Sequence, residues 1–76
     1  IKLNVDFLKI DGSLIKNIHI NENIRLTVLT IVNFAKVLGI ETVAEFVHCQ
    51  EVQNVVESLG IDFSQGYLFH EPEHLV

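Results

Sequence analysis

Residues 38–45, LGIETVAE, and residues 59–65, LGIDFSQ, decide the fold of this 76-residue chain. In both stretches a glycine follows the last apolar residue of a helical pattern, and a glycine at that place takes the left-handed conformation that ends a helix. A short run of strand-type residues follows each glycine at once. The same helix-to-strand junction therefore occurs twice. Strands that alternate with helices in this way predict an α/β fold with parallel strands and right-handed crossovers.

The segments around these junctions complete the pattern. Residues 5–8, VDFL, lead into Lys9 and predict a first strand, followed by a turn at residues 11–13, DGS, and a short helical turn. Apolar residues recur at three- and four-residue steps from Asn23 to Leu38, which predicts an amphipathic helix. A second helix is predicted from about Gln50 to Leu59. Beyond Gln65 we expect an irregular tail that packs back on the last strand.

Lys9, Glu45 and Gln65 each close one of the three predicted strands. The carboxyl ends of parallel strands are where ligands bind and catalysis takes place in such folds. Because side chains alternate between the two faces of a strand, we expect these three residues to share one face with the apolar residues two positions earlier. The opposite face would receive the helices; its members are Leu8, Ile10, Ala44 and Ile61. The sequence therefore predicts part of an active site.

Size and composition restrict what the chain can do alone. A chain of 76 residues forms one globular unit at most, and a domain of this size buries only about 60% of its unfolded surface. We therefore expect either part of a larger barrel or sheet, or a chain that completes its fold by self-association.

A net charge of -5 with only five Lys plus Arg argues against binding a nucleic-acid polymer. No apolar run reaches about 18 residues and no leader is evident, so we expect no membrane span. The single Cys49 fits a reducing compartment, by default the cytoplasm.

Three stretches resemble a known family. Residues 6–13, DFLKIDGS, look like the lysine-bearing strand of the EAL domain, and residues 43–48, VAEFVH, look like its Ala-Glu-Gly-Val-Glu segment. Residues 59–69, LGIDFSQGYLF, look like its terminal strand and Gln-Gly-Tyr signature. The chain thus resembles the C-terminal third of an EAL domain, a bacterial family that hydrolyses the second messenger cyclic di-GMP to linear pGpG. Order and spacing agree over nearly the whole of residues 1–76.

The resemblance implies the last three strands, six to eight, of a TIM-like (β/α)₈ barrel that is incomplete in this chain. It also implies a phosphodiesterase that uses two divalent cations, Mg²⁺ or Mn²⁺, in the complete domain. By the same resemblance, Lys9 would contact the attacking water or the developing phosphoryl charge. Glu45 would be the general base or would orient the water, and Gln65 would hold that water. Gly66 and Tyr67 would bind substrate, and Asp11 would orient Lys9. From its place before the turn alone, Asp11 is expected to cap that turn.

The chain also departs from the family pattern. Phe46 and His48 stand where the family usually has Gly and Glu. The Glu-Ala-Leu signature and most of the metal ligands are absent from this sequence, so we expect no metal site in this chain alone and no hydrolysis by it alone. Two alternatives to an enzyme therefore stay open: a degenerate EAL domain that binds cyclic di-GMP as a receptor, and a structural element that self-associates through open strand edges.

Each site residue also has an alternative interpretation. Lys9 is consistent with a solvated strand-end lysine or a Schiff-base lysine, and Glu45 with an ion pair to Lys9. Gln65 with Gly66 is consistent with a simple turn. His48 and Cys49 lack the spacing of a zinc site, so a surface role at the start of the second helix is the expectation for them. His70 and His74 in the tail are expected to be solvated.

Overall fold

A computed structural model of the chain describes the backbone of residues 2–3, 7–66 and 69–74 and the side chains of residues 7–66. Eight elements follow one another along these residues: β1 (Lys2–Leu3), β2 (Phe7–Ile10), α1 (Gly12–Ile15), α2 (Glu22–Leu38), β3 (Glu41–Ala44), α3 (Gln50–Ser58), β4 (Phe63–Gly66) and β5 (Phe69–His74). The order of strands and helices from β2 to β4 is the predicted one.

The strands form one sheet in the order β1-β2-β3-β4-β5. β2, β3 and β4 are parallel, and α2 and α3 are the helices that connect them. β1 and β5 lie at the two edges of this sheet and run antiparallel to their neighbours. The predicted α/β class with three parallel strands is therefore confirmed, and two antiparallel edge strands are added to it.

Local signals in the sequence explain where α2 begins and ends. Asn21 precedes the helix, and its side-chain oxygen accepts a hydrogen bond of 3.1 Å from the backbone N–H of Ile24. This bond satisfies one of the donors that the first turn of a helix leaves without a partner. Gly39 ends the helix with φ 71° and ψ 28°, in the left-handed conformation that the sequence predicts. The helix begins at Glu22, one residue before the predicted start.

The main core lies between the sheet and the helices. Leu8, Ile10 and Ala44 are fully or nearly fully buried against apolar residues of the helices, as the alternation along the strands predicts. Ile61 is buried in the same core, as expected, but it precedes β4, and alternation alone would place it on the face of Phe63 and Gln65. The helical members of this core are Ile15, Val28, Val32, Ala35, Val52 and Val56. None of the helices in the described part of the chain is long and apolar enough to cross a bilayer.

The tail differs from its prediction. It does pack back on the last strand, but residues Phe69–His74 form a regular strand, β5, with Phe63 opposite His74 and Gly66 opposite Phe69. We expected an irregular tail in this segment, which contains the single proline, Pro72. The strand is possible because β5 lies at the edge of the sheet, where proline is tolerated. Pairing with β5 also covers the backbone groups of β4 that would otherwise form an open edge.

Candidate functional site

The register of the sheet shows how Lys9, Glu45 and Gln65 lie relative to one another. Lys9 pairs with Val43, which pairs with Phe63, and the next row is formed by Ile10, Ala44 and Ser64. Glu45 and Gln65 each come one residue after that row, so they are level with each other on adjacent parallel strands. Lys9 lies two residues lower, about 7 Å along the strand at roughly 3.3 Å per residue.

All three residues point to the face of the sheet opposite the helices. Their positions alternate with the buried Ile10, Ala44 and Ser64, and each of the three is half-buried. The structure therefore brings Glu45 and Gln65 together at the carboxyl end of their strands. It places Lys9 on the same face, one layer of side chains below them.

An apolar layer lies beneath Glu45 and Gln65 on this face. Val43 is buried, and the rings of Phe7 and Phe63 meet edge to face with their centroids 5.7 Å apart. Lys9 is level with Val43 and Phe63 in the register. The side chain of Lys9 therefore leaves the sheet beside apolar side chains, and a partly buried charge is stabilised by pairing with an opposite one. This position favours a negatively charged partner above the layer.

The backbone after β3 makes a sharp turn at Phe46. The N–H of Glu45 donates to the carbonyl of Ile10 at 3.1 Å, and the N–H of Val47 donates to the carbonyl of Gln65 at 3.0 Å. Between these two bonds Phe46 has φ 61°, in the left-handed region that residues with a Cβ rarely adopt. Glycine adopts this conformation without strain, because it has no Cβ. The backbone at this position thus explains why the family that the chain resembles usually has a glycine here.

Two glycines lie directly against Phe46. A Cβ atom on Gly12 would lie 2.7 Å from Cδ2 and 2.8 Å from Cβ of Phe46. A Cβ on Gly66, which has φ 152°, would lie 2.5 Å from the backbone nitrogen of Val47 and 3.0 Å from the backbone of Phe46. The absence of a Cβ on Gly12 therefore leaves space for the Phe46 side chain, whereas its absence on Gly66 leaves space for the backbone of Phe46 and Val47.

Two open clefts adjoin this turn. A cleft of about 420 Å³, here called the small cleft, is lined by Glu45, Phe46, Gln65 and Gly66. A second of about 610 Å³, the large cleft, is lined by Asp11, Gly12, Ser13, Lys16, Glu45, Phe46 and His48. Both volumes lie in the range typical of small-molecule sites. The clefts share Glu45 and Phe46, so these two residues lie on the boundary between them.

The remaining residues predicted for the site are placed as follows. Gly66 lines the small cleft, and Tyr67 lies outside the described residues. Asp11 lines the large cleft and precedes α1, where its backbone carbonyl accepts hydrogen bonds from Leu14 and Ile15. Asp11 is the N-cap residue of α1, as expected, although its side chain makes no capping hydrogen bond. The structure places Asp11 one position above Ile10, at the level of Glu45.

His48 has a role that the sequence did not indicate. Its Nε2 lies 3.0 Å from the backbone carbonyl oxygen of Lys16, and since that oxygen can only accept, Nε2 carries the proton. The bond joins the segment after β3 to the segment after α1, 32 residues apart in the chain. The ring of His19 meets that of His48 edge to face at 5.9 Å. His48 therefore holds one wall of the large cleft in place.

Glu51 lies in the first turn of α3, close to these histidines. The pKa of its carboxyl group is lowered, chiefly because its own backbone N–H donates to the carboxylate and next because the Cys49 thiol does. Burial acts against this lowering, and the charges of His19 and His48 add smaller contributions that lower the pKa further. Within residues 7–66, no group of three or more His, Cys, Asp and Glu side chains is arranged to hold a metal ion.

Comparison with known proteins agrees with this arrangement. The EAL domain family model matches residues 1–72. The cyclic di-GMP phosphodiesterase PdeB of Shewanella oneidensis is 42% identical over 74 residues, which is 97% of this chain and 9% of PdeB. The chain thus spans about a tenth of the length of this relative.

Solved structures show the same fold. The EAL enzyme Bd1971 with cAMP and cyclic di-GMP bound matches with a TM-score of 0.83 and 37% identity, over 96% of this chain and 19% of that one. Klebsiella pneumoniae BlrP1 with FMN and cyclic di-GMP but no metal ions matches with a TM-score of 0.82 and 36% identity, over 92% and 19%. BlrP1 is also known in complexes of cyclic di-GMP with manganese or calcium.

These matches cover almost all of the chain, and the three parallel strands with their helices correspond to part of the barrel of those proteins. The open sheet fits an incomplete barrel. The chain belongs to the EAL domain family.

Proposed function

We propose that this chain is the C-terminal part, strands six to eight, of the barrel of a cyclic di-GMP phosphodiesterase. The observation that carries the proposal is the level placement of Glu45 and Gln65 on adjacent parallel strands, beside a cleft and above Lys9 on the same face. The match to PdeB and to structures with cyclic di-GMP bound supports the same substrate. The complete protein hydrolyses cyclic di-GMP to linear pGpG.

The three side chains suit the chemistry of this reaction. Water that attacks a phosphodiester must lose a proton, and the half-buried carboxylate of Glu45 is placed to accept it. The ammonium group of Lys9 stabilises negative charge that develops on the phosphoryl oxygens. The amide of Gln65, level with Glu45, donates to or accepts from the water and so fixes its orientation. Gly66 and Tyr67 contribute to binding the substrate, and Asp11 supports the position of Lys9.

Residues 7–66 do not fit a metal site by themselves, since they contain no suitable group of ligands. The Mg²⁺ or Mn²⁺ of the complete domain is therefore held mainly by side chains outside these residues. The solved manganese and calcium complexes of BlrP1 support a divalent cation in the family. Accordingly, the chain by itself does not hydrolyse cyclic di-GMP. We place the protein in the cytoplasm, because the free Cys49 thiol is typical of a reducing compartment.

The test is the substitution Glu45→Gln in the complete protein, with pGpG formation followed by chromatography. We expect hydrolysis to fall by at least about 100-fold, within the range for loss of a general base, while cyclic di-GMP binding is retained. Glu41→Gln is the matched control, because Glu41 lies on the same strand and the same face but is exposed at its far end. Near-normal turnover by the Glu45→Gln protein would remove Glu45 from the catalytic role.

A receptor is the second candidate, and Phe46 favours it. A large side chain at the boundary of the two clefts reduces the space beside Glu45. A receptor binds cyclic di-GMP but forms no pGpG with either Mg²⁺ or Mn²⁺. The unchanged complete protein distinguishes the two functions, because only the enzyme shows turnover. For the third alternative, self-association, light scattering of the chain decides: a folded monomer excludes it.

A further inference from the structure

Phe46 is an aromatic residue in an unusual position. Its side chain is 69% exposed, although burying a phenyl ring is favourable by about 2 kcal/mol. Its backbone has φ 61°, a conformation that costs about 1–2 kcal/mol for a residue with a Cβ. Strained residues of this kind occur preferentially at ligand-binding and active sites. Within this chain, Phe46 therefore presents a flat apolar surface next to the proposed general base.

One edge of the Phe46 ring packs against the backbone, and the rest of the ring is exposed in this chain. One edge of Phe46 lies against Gly12, where the absence of a Cβ lets the ring approach the backbone of α1. The exposed remainder faces the clefts that Phe46 lines, and the large cleft begins at that same Gly12. His48, hydrogen-bonded to the Lys16 carbonyl, lines the same large cleft. The ring thus forms an aromatic wall of a cleft of about 610 Å³.

We propose that Phe46 determines affinity for the dinucleotide by stacking on one of its guanine bases, which lies in the large cleft. The inference rests on the proposed function, because it takes cyclic di-GMP as the ligand. An aromatic ring in a cleft favours a purine, since every base presents a flat π-surface and stacking on an aromatic side chain strengthens binding substantially. Glu45 lines both clefts. A guanine base in the large cleft therefore leaves the phosphodiester of the same ligand next to Glu45.

Stacking of Phe46 on a base can be distinguished from a role in packing and from blocking of the cleft. A phenyl ring that only packed against the remainder of the complete barrel would be needed for stability, so its replacement would lower the free energy of unfolding and leave the Kd unchanged. A ring that only blocked the cleft would weaken binding, so its removal would strengthen the complex. Stacking predicts the reverse: a smaller or non-aromatic side chain at position 46 weakens binding, while the rate of the chemical step at Glu45 hardly changes.

The experiment compares Phe46→Ala, Phe46→Leu and Phe46→Trp in the complete protein. All three keep a Cβ in the left-handed backbone, so the strain is unchanged and only the side chain differs. Cyclic di-GMP is titrated calorimetrically in EDTA, where no hydrolysis is expected, and KM and kcat are measured with Mn²⁺. We expect the Kd and KM of the Ala and Leu proteins to rise about 5- to 150-fold, with kcat within about 3-fold. The Trp protein should keep wild-type affinity, and its added indole emission should change when the ligand binds.

The outcomes separate this inference from the proposed function. If the unchanged protein neither binds nor hydrolyses cyclic di-GMP, the proposed function fails and the stacking role falls with it. If the unchanged protein binds but Phe46→Ala and Phe46→Leu bind equally well or more tightly, only the stacking role is refuted. Should the Ala protein fail to fold, the comparison of Leu with Trp decides, because both side chains are large and only one is aromatic.

Discussion

Replacing Gly12 by alanine tests the packing of Phe46 against α1. Gly12 is the first residue of α1, where alanine is otherwise well tolerated, and Gly→Ala inside a helix is favourable by about 0.5–1 kcal/mol. The new Cβ would, however, lie 2.7, 2.8 and 3.0 Å from Cδ2, Cβ and Cγ of Phe46. Carbon atoms prefer a separation of about 3.5–4.0 Å, so each contact is too short by roughly 0.5–1 Å.

The magnitude follows from how far Phe46 can move. Rotation of the ring relieves the contact with Cδ2 but not the one with Cβ, which is attached directly to a backbone held at φ 61°. Extra methyl groups in a closely packed site cost about 1–3 kcal/mol. We therefore expect Gly12→Ala to lower the free energy of unfolding by about 1–2 kcal/mol. In a Phe46→Gly background the same change should be neutral or stabilising.

The assay is a double-mutant cycle on the complete protein, with the free energy of unfolding measured by urea denaturation. The coupling between positions 12 and 46 should be about 1–3 kcal/mol. Gly66→Ala is the matched control: its Cβ would meet the backbone of Phe46 and Val47, so Phe46→Gly should not rescue it. A coupling below about 0.5 kcal/mol for Gly12, or equal rescue of Gly66→Ala, would refute the packing described above.

Two further predictions concern other contacts. Asp62→Ala should destabilise the protein by about 1.5–3 kcal/mol in urea denaturation, because its carboxylate accepts hydrogen bonds from the N–H and hydroxyl of the buried Thr42 at 2.9 and 3.3 Å. Asp62→Asn should lose less stability than Asp62→Ala, because its amide oxygen still accepts these bonds. Unchanged stability of both variants would contradict this prediction. Glu51→Gln should reduce stability slightly above pH 4.5, the ordinary pKa of glutamate, because the folded state lowers this pKa. The difference should shrink as the pH falls below 4.5 through the lowered folded pKa, and a difference that grows there would contradict the assignment.

Much of the architecture could be predicted from local signals. The three- and four-residue spacing of apolar side chains and the glycines at positions 39 and 60 located both long helices to within a residue. Alternation along the strands predicted correctly that Leu8, Ile10 and Ala44 face the helices. These features depend on residues near one another in the chain, where turn geometry and side-chain periodicity act directly. The resemblance of three stretches to the EAL domain predicted the family.

The site itself required the tertiary structure. The sequence shows that Lys9, Glu45 and Gln65 follow apolar runs, but only the pairing of the strands shows that Lys9 lies two residues below the other two. The bond between His48 and the Lys16 carbonyl also joins parts of the chain that no local pattern relates.

By itself, the sequence determined the alternation of strands and helices, the buried face of the sheet and the residue types available for phosphodiester chemistry. The tertiary structure alone decided the register of those residues, the left-handed turn that exposes Phe46 between two clefts, and the edge strand formed by Phe69–His74. The reason is physical: periodicity and capping are interactions within one or two turns of chain. Register, cleft shape and edge pairing depend on hydrogen bonds and packing between segments that are distant in the sequence.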